Sequence, residues 1–384
     1  MKILCVFGEH NYGDPVRGNG YEFSNFLPAL KRIASEVVFF ESFSRRPYRN
    51  FADLNRRLLE TVEKVQPDLI FCVLMGYEVW LETLDLIRQH SRAILLNWST
   101  DDSWKFEQFS RLVASRFDIY ATTNPEAVTK ARQAGMDNFV LSQWAADAGK
   151  LAEPLPAAQC HYQVSFIGSN YGNRPQWIAG LKGREIEVSC FGHGWPAGPV
   201  AAEAIPQIIR QSVLSLNFGD SGIVMQGLRP IKSRQIKARI FEVPGAGGCL
   251  LTEPAANLEN FFTPGIEILL FENLDDLTRQ IRYYLDHPVE RDAIAAAGHK
   301  RTAKQHTYDL RFRDLLQAAT KRNINVSPFD WQQFEKLAQK HPSHRSFRVL
   351  ALAAKNQSPS PSALRSAHCS MGCKDVTAHG YPPR

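Results

Sequence analysis

The sequence predicts an α/β protein built from two successive doubly wound domains, and three observations predict it. Short runs that are apolar throughout alternate with longer amphipathic stretches. A Pro- and Ala-rich break, Leu151–Ala158, interrupts the alternation, which then resumes. The chain is 384 residues long, two domains at about 150 residues each with length to spare.

The first half supplies strand candidates at Lys2–Phe7, Val37–Phe40, Leu69–Val73, Ala93–Asn97, Ile119–Thr122 and Phe139–Ser142. Helical patterns fill Glu22–Ile33, Ala52–Val65, Val79–Gln89, Glu107–Ala114 and Pro125–Ala134, the last stopped by Gly135. Strands that are apolar throughout and separated by helices indicate a parallel sheet covered on both faces. After the break the strand candidates are Gln163–Ile167, Glu187–Phe191, Val213–Asn217, Gly248–Thr252 and Glu267–Phe271. The helices are Arg174–Leu181, Glu203–Arg210, Ile236–Val243, Leu274–Leu285 and Val289–Gln305. The domain division reads 1–155, 156–310, then 311–354 as a crossing helix near Tyr308–Lys321 with accessory helices at Phe329–Gln339 and Phe347–Ala354. The Ser/Pro/His/Gly-rich 355–384 lacks apolar periodicity and is expected to be disordered.

Composition removes several classes. With 44% hydrophobic and 22% charged residues and ordinary Gly and Pro, the chain is neither fibrous nor wholly disordered. No run approaches a membrane span, and the opening Met1–Gly8 is too short for a signal-peptide core. Seven cysteines, an odd number mostly inside apolar runs, read as free thiols in a reducing cytoplasm. A net charge of +6 suits an anionic small ligand and is too mild to argue for nucleic acid. His368, Cys369, Cys373 and His379 match no standard zinc-finger spacing, so no metal site is expected there. The P-loop, HExxH, GxSxG and DxDxDG signatures are absent, and Gly18-Asn19-Gly20 is followed by Phe23 where a dinucleotide fingerprint needs a small residue.

The most informative segment runs from Gln235 to Glu253: a short cationic helix, a Gly-rich turn and a buried strand. Lys237 and Arg239 stand near the helix start, where backbone N–H groups and the dipole favour anions. Arg239 and Glu242 are three apart and share a face, and a carboxylate beside two cations can accept hydrogen bonds from ribose hydroxyls. The glycines of Gly245-Ala-Gly247-Gly248 would let backbone approach a ligand. Equally, the segment could be an ordinary surface helix with an Arg–Glu pair and a flexible cap.

Residues 164–313 resemble the C-terminal domain of GT-B-fold glycosyltransferases, in the group that includes the CgeB-type spore proteins and the glycosyl transferases group 1 family. The pieces that carry the resemblance occur in order: Val164-Ser-Phe-Ile-Gly168-Ser169 with Arg174; Phe191-Gly192-His-Gly194-Trp195; Leu216-Asn217-Phe218; Lys237-Ala-Arg239-Ile-Phe241-Glu242; Phe262-Thr-Pro-Gly265-Ile-Glu267. Tyr283-Tyr284-Leu285, Glu290-Arg291, Ala297-Gly298 and His306-Thr307-Tyr308 complete them. The first half is similar in outline, through Arg17-Gly18, Asn97-Trp98-Ser99-Thr-Asp101-Asp102 and Gln143-Trp144-Ala145-Ala146-Asp147. The resemblance implies two Rossmann-like domains facing a cleft, a C-terminal crossing helix, a nucleotide-diphosphate sugar on the second domain and an acceptor on the first. It also implies that Gly168 and Ser169 offer backbone to the pyrophosphate beside Arg174, and that Lys237 and Arg239 neutralise the diphosphate. Glu242 would hold the ribose, and Thr252 and Glu253 would lie near the diphosphate and sugar. Cations that stabilise the departing diphosphate lower the barrier without a metal, so no cofactor or cation is expected.

A base for the acceptor hydroxyl, needed if the reaction inverts, is sought on the first domain. Asp101, Asp102, His10 and Glu9 all follow predicted strands, although Asp102 before Trp104 also fits a helix N-cap. Trp195 and His306 read as packing residues, and Tyr283-Tyr284-Leu285 as core-facing. The leading expectation is a metal-independent glycosyltransferase moving a sugar to a hydroxyl of a glycan, protein or small molecule. Two alternatives are an inactive GT-B-shaped scaffold that binds nucleotide sugar, and an NDP-sugar epimerase. Nucleic-acid partners are not expected, and peripheral membrane contact and oligomeric state are left open.

Overall fold

The structure is a computed structural model describing residues 1–226, 229–317, 326–340 and 342–343, with backbone alone for 221–226 and 229–233. The expected helix at Phe347–Ala354 and the segment 355–384, with Cys369 and Cys373, lie outside the described residues.

The first domain runs β1 (Lys2–Phe7), α1 (Tyr21–Ile33), β2 (Glu36–Glu41), α2 (Phe51–Val65), β3 (Leu69–Cys72) and α3 (Leu81–His90). It continues through β4 (Ile94–Ser99), α4 (Asp102–Lys105), a π-helical turn over Phe106–Ser110, α5 (Arg111–Val113), β5 (Ile119–Thr122), α6 (Pro125–Gln133) and β6 (Phe139–Leu141). The strands form one parallel sheet in the order β2-β1-β3-β4-β5-β6. Its two-sided burial follows from the two-residue period of a strand. Ile3, Cys5 and Phe7 join a core with Phe26, Leu27 and Leu30 of α1, whereas Leu4 and Val6 join Leu54, Leu58 and Val62 of α2.

The second domain runs β7 (Tyr162–Ile167), α7 (Arg174–Lys182), β8 (Ser189–Phe191), α8 (Ile205–Arg210) and β9 (Ser212–Asn217). An antiparallel hairpin follows, β10 (Asp220–Gln226) and β11 (Arg229–Arg234), then α9 (Arg239–Gly245), β12 (Leu250–Thr252), β13 (Leu269–Leu270), α10 (Leu274–Asp286) and α11 (Pro288–Gln305). Its parallel sheet has the order β13-β12-β9-β7-β8. In each sheet the strand order reverses once, beside β1 and beside β7, and the loops leaving those strands open a crevice. The expected two-domain α/β architecture is therefore present.

The chain then returns. α12 (Tyr308–Gln317) lies on the first domain, with Tyr308, Phe312 and Leu315 in the core beneath α1. α13 (Trp331–Lys340) covers the opposite face through Phe334 and Ala338. The crossing is pinned by Ala146, whose N–H donates to the His306 carbonyl and whose carbonyl accepts from Tyr308 N–H, at 2.9 and 3.0 Å. Arg32 binds both carboxylate oxygens of Asp309 at 2.8 Å and also pairs with Asp147.

Three local expectations change. The helix expected at Ile236–Val243 begins at Arg239, so Lys237 stands before it. The β10–β11 hairpin was not expected. Tyr283 is exposed rather than core-facing, stacked on His287 at 3.9 Å with its hydroxyl on Glu290. Cys5, Cys72, Cys160, Cys190 and Cys249 are free, as read from the sequence.

Candidate functional site

The second domain's crevice is built on Phe166, which is fully buried in β7 with two guanidinium groups over its ring. Arg174 stands 5.5 Å and Arg239 5.3 Å from the ring centroid. Arg174, the first residue of α7, is almost wholly buried and donates to the Ser169 carbonyl at 2.9 Å. Arg239, the first residue of α9, donates to Asn217 Oδ1 at 2.8 Å. Both of these acceptors are neutral, while Glu242 attracts Arg239 and Asp220 attracts Arg174 from nearby. Burial lowers the proton affinity of both arginines, and repulsion from Arg174 lowers Arg239 further, to about 10. Lys237 is lowered by burial as well, and Arg174 and Arg239 repel it while Asp101 of the first domain attracts it.

The backbone beside these cations is held by close approach. A Cβ at Gly168 would meet Arg239 Nη2 at 2.9 Å and Phe166 Cζ at 3.0 Å. Trp195 donates its indole N–H to the Gly168 carbonyl at 2.7 Å and sets its ring edgewise to Phe166, which makes it a packing residue. Gly168, Ser169, Arg174, Lys237 and Arg239 are thus brought to one place. The Gly-rich turn after α9 is not part of it. A Cβ on Gly247 would strike the Ala152 carbonyl at 2.6 Å, and one on Gly245 would strike Ala146 Cβ at 2.8 Å. Those glycines admit the interdomain linker and its neighbouring loop instead of a ligand.

Glu242 faces the floor of the cleft. Burial raises its proton affinity, opposed by Arg239, by Lys150 and by the Tyr21 hydroxyl. Lys150 reaches α1, donating to the Ser24 carbonyl and Asn25 Oδ1 at 2.8 Å each, and the Tyr21 and Tyr308 hydroxyls meet at 2.8 Å. Glu242 therefore lies where both domains and the returning helix converge.

Thr252 and Glu253 are buried at the end of β12, one shared partner, Asn217, away from Arg239. Thr252 is fully buried, accepting from Asn217 Nδ2 at 2.9 Å and donating to the Glu253 carbonyl at 3.1 Å. Glu253, 2% exposed, accepts from Gly219 N–H at 2.9 Å and pairs with Arg234 at 3.2 Å. Their polar atoms are consumed in holding the β9 end and the root of the hairpin. Through Asn217, which also receives Arg239, they act as supports.

On the first domain the candidates separate. Asp102 is 4% exposed and accepts from the hydroxyls of Ser99, at 2.7 Å, and Ser110. That enclosure keeps it from an acceptor, and it is not the N-cap of α4 either; Asp101 holds that position without a side-chain cap bond. Asp101 is half-buried and accepts from Thr100 Oγ1 at 3.2 Å. His10 is half-buried in the loop after β1, 4.0 Å from Glu9, with Nδ1 unbonded. Sequence reasoning did not single out Glu22, half-buried in the first turn of α1, whose proton affinity burial raises. An acid in a first helical turn ordinarily complements the helix dipole, so nothing marked it.

Among the described residues no group of three His, Cys, Asp or Glu side chains is arranged for a metal ion. Nor is any described helix long and apolar enough to cross a membrane.

Residues 174–317 match the family model described as glycosyl transferase-like. The chain is 23% identical over 274 residues to the spore protein CgeB of Bacillus subtilis (strain 168), covering 65% of this chain and 82% of CgeB. HepE of Anabaena, solved in complex with UDP, superposes with a TM-score of 0.56 at 14% identity, over 83% of this chain and all of HepE. Sucrose-phosphate synthase from Thermosynechococcus elongatus gives 0.55 at 11% identity, over 83% of this chain and all of that one. Two facing parallel sheets, a returning helix and these likenesses give the chain the GT-B fold, and its residues 174–317 match a glycosyl transferase-like family model.

Proposed function

We propose that the protein transfers a sugar from a nucleotide-diphosphate sugar held by the second domain to a hydroxyl acceptor held by the first. The observation that carries this reading is the pair of guanidinium groups over Phe166, donating to the Ser169 carbonyl and to Asn217 Oδ1. Two buried guanidinium groups kept together over one ring suit a ligand that brings two or more negative charges. Lys237 adds a third cation from just before α9. As the bond from the sugar to the diphosphate breaks, charge develops on the leaving oxygen, and these preorganised cations stabilise it there. Glu242 receives the ribose hydroxyls, and Gly168 and Ser169 give the diphosphate a close backbone wall. Three cations supply the charge compensation that a metal ion would otherwise provide.

UDP complexes of HepE support a uridine nucleotide as the first donor to test. Calorimetry and thermal shift with UDP-, GDP-, dTDP- and CMP-sugars, paired with an assay for released nucleoside diphosphate, test the reading. Binding and release are expected from at least one donor. Binding without release in the presence of candidate acceptors would instead favour the scaffold, and silence with all four would sink the transferase assignment.

A further inference from the structure

Arg239 takes its direction from residues behind it. β9 and β12 are neighbours in the parallel sheet, and their register sets Asn217 opposite Thr252 at the carboxyl ends of both strands. Both side chains are fully buried. Thr252 has a single hydroxyl hydrogen and gives it to the Glu253 carbonyl at 3.1 Å. Its oxygen is left to accept, and it takes an N–H from Asn217 Nδ2 at 2.9 Å. That commitment fixes which way round the Asn217 amide lies. Oδ1 is turned to Arg239 and accepts from Nη1 at 2.8 Å. Two further groups bound the guanidinium. The Phe166 ring lies 5.3 Å from Cζ, and a Cβ on Gly168 would stand 2.9 Å from Nη2.

We propose that Thr252 and Asn217 are a positioning pair: the Thr252 hydroxyl locks the Asn217 amide, and the amide holds Arg239 toward the diphosphate without neutralising it. This assignment rests on the donor-site reading above and gives two buried residues a task within it. An aspartate would fill the space of Asn217, yet its charge would pair with the guanidinium and compete with the phosphate oxygens. Glu242 already attracts Arg239, so a second carboxylate in direct contact would cancel what remains of the charge. A neutral acceptor instead uses one of the five guanidinium N–H groups for direction and leaves the positive charge to the ligand. Thr252 therefore acts on the diphosphate through two other side chains, first Asn217 and then Arg239.

The test measures binding of UDP, GDP and dTDP to the full chain by calorimetry, with urea midpoints alongside. Asn217→Asp is expected to weaken the tightest-binding of the three by about 10-fold or more. Its urea midpoint should stay near wild type, because the Thr252 hydroxyl can turn its hydrogen to the new carboxylate. Two variants of Thr252 separate a hydroxyl lock from packing. Thr252→Ser keeps the hydroxyl and should bind within about 2-fold of wild type. Thr252→Val keeps the shape but leaves Asn217 Nδ2 unpaired, and should bind ~3–10-fold more weakly. A packing role predicts the reverse order, with the Val variant spared and the Ser variant impaired. That reverse order overturns the pair, as do Asn217→Asp and Thr252→Val both binding like wild type, and either result leaves the donor site standing. A wild type that binds none of the three nucleotides overturns the donor site and the pair with it.

Discussion

Gly192 lies so close to Gly168 that a Cβ on Gly192 would stand 2.4 Å from the Gly168 carbonyl oxygen, at a backbone φ of +133°. The loop that carries Ser169 is therefore wedged between Gly192 and the indole of Trp195. Gly192→Ala is expected to push that loop toward Arg239 and weaken nucleoside diphosphate binding about 10-fold or more. Calorimetry checks it, and an unchanged Kd would detach the loop from the donor site.

Glu242→Ala is expected to lose most of the nucleotide-sugar affinity. One or two hydrogen bonds to a charged group are worth about 1.5–3 kcal/mol each. The double variant Lys237→Ala with Arg239→Ala should lower turnover far more than the urea midpoint, because burial already disfavours both charges in the free protein. Unchanged binding in all of these would move the donor site elsewhere.

His306 gives the fold an acid limit. Its Nε2 lies 2.8 Å from the Phe261 carbonyl and its Nδ1 3.1 Å from the Arg311 guanidinium, an arrangement that fits the neutral ring with hydrogen on Nε2. Burial lowers its pKa from 6.5 to about 4, with Arg311 and Arg301 contributing. A depressed folded pKa gives stability that is full above pH 6.5 and is lost as the pH falls toward 4. At pH 5 the loss amounts to about 2 kcal/mol. Urea midpoints at pH 7.5 and 5 should fall steeply for wild type and less for His306→Gln; parallel slopes would clear His306 of this role.

Arg291 is fully buried and donates to the carbonyls of Val213, Ser212 and Leu155 at 2.6, 2.8 and 2.9 Å. Arg291→Leu strands three acceptors and should cost about 3–5 kcal/mol of stability. Arg291→Lys should restore little, because an ammonium lacks the planar fork that spans all three. Chemical denaturation measures both variants; a loss below about 1 kcal/mol for the Leu variant would mean that water replaces the guanidinium.

The sheets were legible because their strands are apolar on both faces, and that pattern has few other solutions. The cationic side of the site was legible for a related reason: Arg174, Lys237 and Arg239 stand at strand-to-helix junctions, where local sequence sets direction. What failed was inference about burial. Thr252 and Glu253 follow a strand just as Gly168 and Ser169 do, yet they turn inward because Gly219, Arg234 and Asn217 need partners. Those partners lie 19 to 35 positions earlier, beyond the reach of local pattern. The hairpin escaped because Pro230 and polar residues interrupt any alternation over 220–234.

The returning helices set the order in which the molecule can be completed during synthesis. Tyr308, Phe312 and Leu315 fill one side of the first domain's core, and Phe329, Phe334 and Ala338 fill the other. A ribosome releases the amino-terminal end first, so the first domain must wait with two apolar faces uncovered while the entire second domain emerges. The second domain's sheet is covered by its own helices, among them α10 and α11 through Leu277, Ile281 and Ile294, and can close earlier. Translation thus favours a second domain that matures before the first, against the sequence in which they are made.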